Sequence, residues 1–184
     1  MRTALRAVGT LALLGVLAQT AGAQDKPNFS GTWKLDPAQS QMGGGMGGGG
    51  GAGGGGGGGG GRAGGGMGGG AGAQEVTIAH DATTLKLTMM AQGAERVMNY
   101  AIGGAASKNP MGGRMGGEVT STTVWEGMTL VTHGTAKIST PNGDMQITTH
   151  EVRSLSADGK TMTVETTTTT GQGENTRKMV YIKQ

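Results

Sequence analysis

Residues 43–72 hold 24 glycines in 30 positions, and no other feature limits the fold as severely. The interruptions are Met46, Ala52, Arg62, Ala63, Met67 and Ala71. A segment of this composition has almost no apolar surface to bury, and glycine loses more conformational freedom on ordering than any other residue. It predicts a disordered Gly/Met-rich loop over residues 41–73, with the folded part split around it. Flexible-chain scaling gives the tract a reach of about 30 Å. Closing it costs about 1.6 kcal/mol more than closing a five-residue loop, against a domain stability of roughly 5–15 kcal/mol. A short element ahead of the tract can therefore dock onto a larger one behind it.

What lies behind the tract reads as β-strand. Thr84 to Met90 places Leu85, Leu87 and Met89 on one face and Lys86 and Thr88 on the other, the cleanest period-two pattern in the chain. Glu75 to His80, Glu95 to Ile102, Glu118 to Trp125, Met128 to Ser139, Met145 to Leu155, Thr161 to Thr170 and Arg177 to Lys183 follow the same logic. Glu126-Gly127, Asn142-Gly143 and Asp158-Gly159 are tight-turn signals, because glycine accepts positive φ. A second glycine-rich stretch, Met111 to Gly117, reads as an inter-strand loop. With the strand ahead of the tract, the count is about nine, joined by short turns and without a helix. The expected fold is all-β: an antiparallel up-and-down barrel or strongly curved half-barrel.

The ends of the chain set the compartment. Arg2 and Arg6, the apolar run Ala7 to Ala18 and Ala21-Gly22-Ala23 form the three parts of a secretory signal over residues 1–23. The apolar run is too short for a stable membrane span, so no transmembrane segment is expected in the mature chain, residues 24–184. That chain is expected to be periplasmic or extracellular. There is no cysteine, which excludes a disulfide, a thiol nucleophile and cysteine lipidation. The net charge of +3 shrinks to about +1 once Arg2 and Arg6 are removed. No basic cluster with interleaved aromatics occurs, so nucleic acid is not an expected partner.

Ahead of the tract, Asn28-Phe29-Ser30-Gly31-Thr32-Trp33-Lys34-Leu35-Asp36 concentrates the bulky residues of a chain with only 3% aromatics. Gly31, Trp33 and Leu35 share one strand face, Thr32 and Lys34 the other. Pro37 then ends the strand. The Phe-x-Gly-x-Trp string resembles the first strand of the lipocalin and fatty-acid-binding-protein (calycin) superfamily, and of uncharacterised bacterial exported proteins with a lipocalin-like domain. The resemblance implies a first-strand motif of Phe29, Gly31 and Trp33. It also implies a tryptophan closing one barrel end, with a basic residue of the last strand packed across it. Lys183 is the best match, ahead of Arg177 and Lys178. The core is expected around Trp33, Leu85, Leu87, Tyr100, Trp125, Leu130, Ile147, Val164 and Tyr181.

Threonine crowds both faces of several strands, notably Thr120 to Thr123 and Thr166 to Thr170, so the interior is expected to be thin or partly wet. Three readings of function stay open on these residues. One is a small apolar or amphipathic ligand held near Trp33, Tyr100 and Trp125. Another is an envelope-interaction protein without a cavity, its protein partners unknown. The third is copper binding by Met42, Met46, Met67, Met111 and Met115, since thioethers favour Cu(I). His133 and His150 come near each other across the Asn142-Gly143 hairpin as diagonal neighbours, but two imidazoles lack a third ligand, and no metal or other cofactor is assigned. No nucleophile elbow, phosphate loop or base-bearing triad occurs, and the carboxylates read as solvated surface charge. The chain is therefore not expected to be an enzyme.

Overall fold

The computed structural model describes residues 25–41, 73–91, 93–111, 117–140 and 143–184. The expected leader, the whole glycine tract, Met42, Met46, Met67 and Met115 lie outside these residues. The described chain forms ten strands: β1 (Gly31–Leu35), β2 (Glu75–His80), β3 (Thr84–Ala91), β4 (Ala94–Ala101), β5 (Ala106–Pro110), β6 (Glu118–Glu126), β7 (Thr129–Thr140), β8 (Gly143–Leu155), β9 (Thr161–Thr170) and β10 (Gly173–Lys183). They make one antiparallel sheet in the order β4-β3-β2-β1-β10-β9-β8-β7-β6-β5. The sheet curls into a nearly closed barrel, with β1 bridging the two halves of the chain. Among the described residues no helix is long and apolar enough to cross a membrane.

Most expected strands appear within a residue or two of their sequence-based bounds. Three differences have physical causes. β5 was not expected, because Ala106-Ser107-Lys108-Asn109-Pro110 carries no apolar alternation. β10 starts at Gly173 rather than Arg177, since Glu174, Asn175 and Thr176 continue the ladder opposite Thr169, Thr168 and Thr167. The β7–β8 register ends at Thr140 opposite Gly143, so the connection is residues 141–142. Pro141 has no N–H to donate to a ladder, so the pairing stops at Thr140, and its register differs by two residues from the one an Asn142-Gly143 turn centre predicts. Every β7–β8 pairing shifts with it, and His133 stands directly opposite His150.

The strip ends at β4 and β5, which are joined by side chains in place of a regular ladder. Asn109 Oδ1 accepts the Asn99 N–H at 2.7 Å, and its Nδ2 donates to the Asn99 carbonyl at 2.9 Å. Ser107 Oγ accepts the Ala101 N–H at 2.7 Å, and Arg96 donates to the Pro110 carbonyl. The amides of Gly103 and Gly104 both reach the Thr123 carbonyl, at 2.9 and 3.0 Å. Short polar side chains thus satisfy edge groups that would otherwise remain open.

Two apolar clusters fill the inside. The larger packs Phe29, Trp33 and Leu35 against residues such as Leu85, Met98 and Tyr181. It forms the floor, at the end where the turns after β2, β6 and β8 lie. The smaller comprises Met111, Val119, Ala136, Ile138 and Ile147, toward the opposite end. Met111 is therefore a buried packing residue and not a thioether exposed in a loop. Of the expected core, Trp125 is only half-buried and packs against the floor cluster, and Ile147 belongs to the second cluster.

Candidate functional site

At the floor the sequence motif becomes a joint. Trp33 is fully buried, and its Nε1–H donates to the Phe29 carbonyl at 2.8 Å. Lys183 pairs with Trp33 in the β1–β10 register, and its Nζ stands 5.3 Å from the indole centroid. A basic side chain of the last strand thus lies against the indole of the first. Gly31 has φ +134°, and a Cβ there would lie 2.8 Å from Lys183 Cε, so glycine lets Lys183 cross the strand.

Beside this joint, Phe29, His80 and Trp125 form a triangle of rings with centroids 5.7 to 6.0 Å apart. Lys26 Nζ lies 5.5 Å from the Trp125 ring and donates to the Gly127 carbonyl at 2.7 Å. The Phe29 N–H donates to His80 Nδ1 at 3.2 Å, so that nitrogen must keep its lone pair. Ser30 Oγ holds the His80 main chain on both sides, accepting its N–H and donating to its carbonyl.

Burial lowers the His80 pKa below the usual 6.5, with Asp81 opposing the shift. Above the unfolded value near 6.5 both states are neutral and the fold keeps its full stability. As pH falls, the unfolded chain takes up the proton first, and stability declines until the folded value is passed. The expected Tm is flat above about pH 7 and falls as pH drops below the ordinary histidine value near 6.5. Thermal melts of His80→Gln should lose that drop; an equal drop in both proteins would show that His80 is not its source.

Between the two apolar clusters lies a polar belt, built by register. One inward row runs Thr123, Thr132, Glu151, Thr166, Arg177 across β6 to β10. The next row away from the floor runs Ser121, Gly134, Thr149, Thr168, Asn175. Arg153 projects from the adjoining row on the floor side, between Leu130 and Val164. Glu151 is 3% exposed and Arg153 1%. Their ion pair spans 2.7 Å, from Arg153 Nη2 to Glu151 Oε1. Thr166 Oγ1 donates to Glu151 Oε2 at 3.4 Å, and Thr123 and Thr132 share a hydroxyl bond of 2.9 Å. Ser121 Oγ and Thr168 Oγ1 are buried and make no hydrogen bond among the described residues. A Cβ on Gly134 would fall 2.5 Å from Thr149 Oγ1, so a side chain there would force the belt apart.

The expectation that the carboxylates are all surface charge fails at Glu151. The period-two phase from Ile147 carries Thr149, Glu151 and Arg153 inward, and their polarity hid that phase. Burial raises the Glu151 pKa, against the lowering effects of Arg153, the Thr166 hydroxyl and Arg177. Burial also raises Tyr100, and the Glu151 charge adds to the effect. Within these rows Arg153 and Arg177 stand against one carboxylate, Glu151. The belt is cationic.

The three residues expected to contact a ligand do not share one surface. Trp33 is sealed into the floor, Tyr100 is buried with its hydroxyl 3.8 Å from Met98 Sδ, and Trp125 sits half-buried in the ring triangle. The belt itself was legible only as an excess of threonine.

Among solved structures, a zebrafish ileal bile acid-binding protein complexed with cholic acid is similar at a TM-score of 0.39 and 15% identity, over 60% of this chain and 72% of that one. No protein-family model and no curated protein matches the sequence.

Proposed function

We propose that the protein is an exported, non-enzymatic barrel that binds a small amphipathic molecule carrying an anionic group. The observation behind this reading is the cationic belt enclosed between two apolar clusters. A carboxylate or similar head would meet Arg177, whose row also holds Glu151 and Thr166, while the tail packs among Met111, Val119 and Ile147. A charged head needs a hydrogen-bonded partner when it leaves water. The buried hydroxyls of Ser121 and Thr168 offer two further polar contacts. Residues 1–23 would serve as the export signal, and the mature chain would act in the periplasm or outside the cell.

The test is titration with alkyl carboxylates and matched alcohols, read by intrinsic tryptophan fluorescence and calorimetry. The carboxylates should bind more tightly than the alcohols. Arg177→Met should weaken carboxylate binding by roughly 10- to 100-fold, the range for a hydrogen bond to a charged group, and leave the alcohols nearly unchanged. No saturable binding of either series would replace this reading with that of a closed barrel whose role lies on its surface.

A further inference from the structure

The outer face of the barrel holds a second arrangement of chemistry-bearing side chains, independent of the interior. His133 on β7 and His150 on β8 are directly opposite in register and both exposed. Their ring centroids are 4.7 Å apart, with the planes inclined by 38°. Neither ring makes a hydrogen bond among the described residues, so none of these residues competes for its nitrogens.

The platform under them is stiff. β7 and β8 are the longest strands, with 12 and 13 residues, and each is laddered on both sides. The same outer row continues with Thr122 on one flank and Thr167 and Thr176 on the other. The neighbouring rows present Thr135 and Thr148 on one side and Val131 and Val152 on the other. The nearest charged positions are already occupied: Glu165 lies 3.8 Å from Lys178, and Glu174 accepts from Thr169. No cationic side chain stands in the histidine row to repel a metal ion.

We propose that His133 and His150 together bind one divalent transition-metal ion on the outer face of the sheet. Imidazole suits Cu2+, Ni2+ and Zn2+, and the order of affinities places Cu2+ first. Two nitrogens each about 2.0 Å from a metal at a right angle are about 2.8 Å apart, a spacing that tilted rings at this centroid distance can reach by small χ2 rotations. The protein supplies two cis ligands. No group of three or more His, Cys, Asp or Glu suited to a metal occurs among the described residues, so water completes the coordination. Such a site leaves coordination positions open and is distinct from any Cu(I) chemistry of methionine. Because imidazole must be neutral to ligate, binding weakens on acidification.

The experiment uses the untagged full chain under oxidising conditions, with Cu2+ alone as the probe. Calorimetry should give one saturable site, and the electron paramagnetic resonance spectrum should show two imidazole nitrogens. His133→Ala and His150→Ala should each weaken binding by roughly 100-fold, because the second imidazole otherwise acts at high effective concentration. His80→Gln should change nothing. In parallel, Zn2+ should shift the ring resonances of His133 and His150 and leave those of His80 in place, a readout that needs no variant to fold. Unchanged Cu2+ affinity in either alanine variant, or a spectrum without two imidazole nitrogens, overturns the proposal.

Discussion

Trp33→Ala lowers the unfolding free energy by about 3–5 kcal/mol, the usual cost of truncating a buried tryptophan, and so removes much of a stability of roughly 5–15 kcal/mol. The indole is fully buried where β1 is laddered between β2 and β10. Its loss opens a cavity under Phe29 and Leu35 and frees the Phe29 carbonyl from its 2.8 Å bond. The cation over the ring is the smaller effect. Lys183 is exposed, and such a contact contributes about 0.5–1 kcal/mol, so Lys183→Met should cost several-fold less than the alanine variant. Urea unfolding separates the two, read as a change in midpoint at constant slope. A Trp33→Ala midpoint close to wild type would show that β1 contributes little to holding the barrel together.

Glu151→Leu costs about 3–5 kcal/mol, while the double change Glu151→Leu with Arg153→Met is neutral or stabilises by about 1–4 kcal/mol. The asymmetry comes from desolvation. Both charges are buried, so removing the carboxylate leaves the Arg153 guanidinium in an apolar surround without its counter-charge, whereas removing both lets the belt pack as hydrocarbon. The pH dependence provides a second signature. With the Glu151 pKa raised in the fold, its contribution to stability is full below the ordinary carboxylate range. That contribution is lost as pH rises through the folded value. The double variant should lack this loss. Equal destabilisation by the single and double changes would mean that Arg153 does not depend on Glu151.

The fold was largely legible because its strands alternate and its turns carry glycine. Leu85, Leu87 and Met89 announce an inward face by themselves, and the bulky Trp33 and Leu35 mark that of β1. The interior chemistry was far less legible. In β8 the inward phase passes from Ile147 to Thr149, Glu151 and Arg153, so hydropathy reverses while geometry does not. In β9 threonine stands on both faces from Thr166 to Thr170, which leaves no phase to read. β5 escaped notice for a related reason: its inward Ser107 and Asn109 serve the main chain of β4, a task with no apolar signature. The Asn142-Gly143 signal places His133 opposite Val152, two residues from the His150 it faces, since an Asn-Gly pair does not by itself fix where a ladder next to Pro141 stops.

The junction between β4 and β5 has a mechanical meaning. Every other neighbouring pair is zipped by its own peptide groups and separates only if several bonds fail together. Here a few short side chains do the fastening, and a rotamer change at Asn109 or Ser107 is enough to undo a stitch. Breathing of the cylinder should therefore begin along this line, with amide protons of Asn99 and Ala101 exchanging with solvent well before those at the centre of β8. The curled strip can gape at its two free margins while the floor around the indole stays shut.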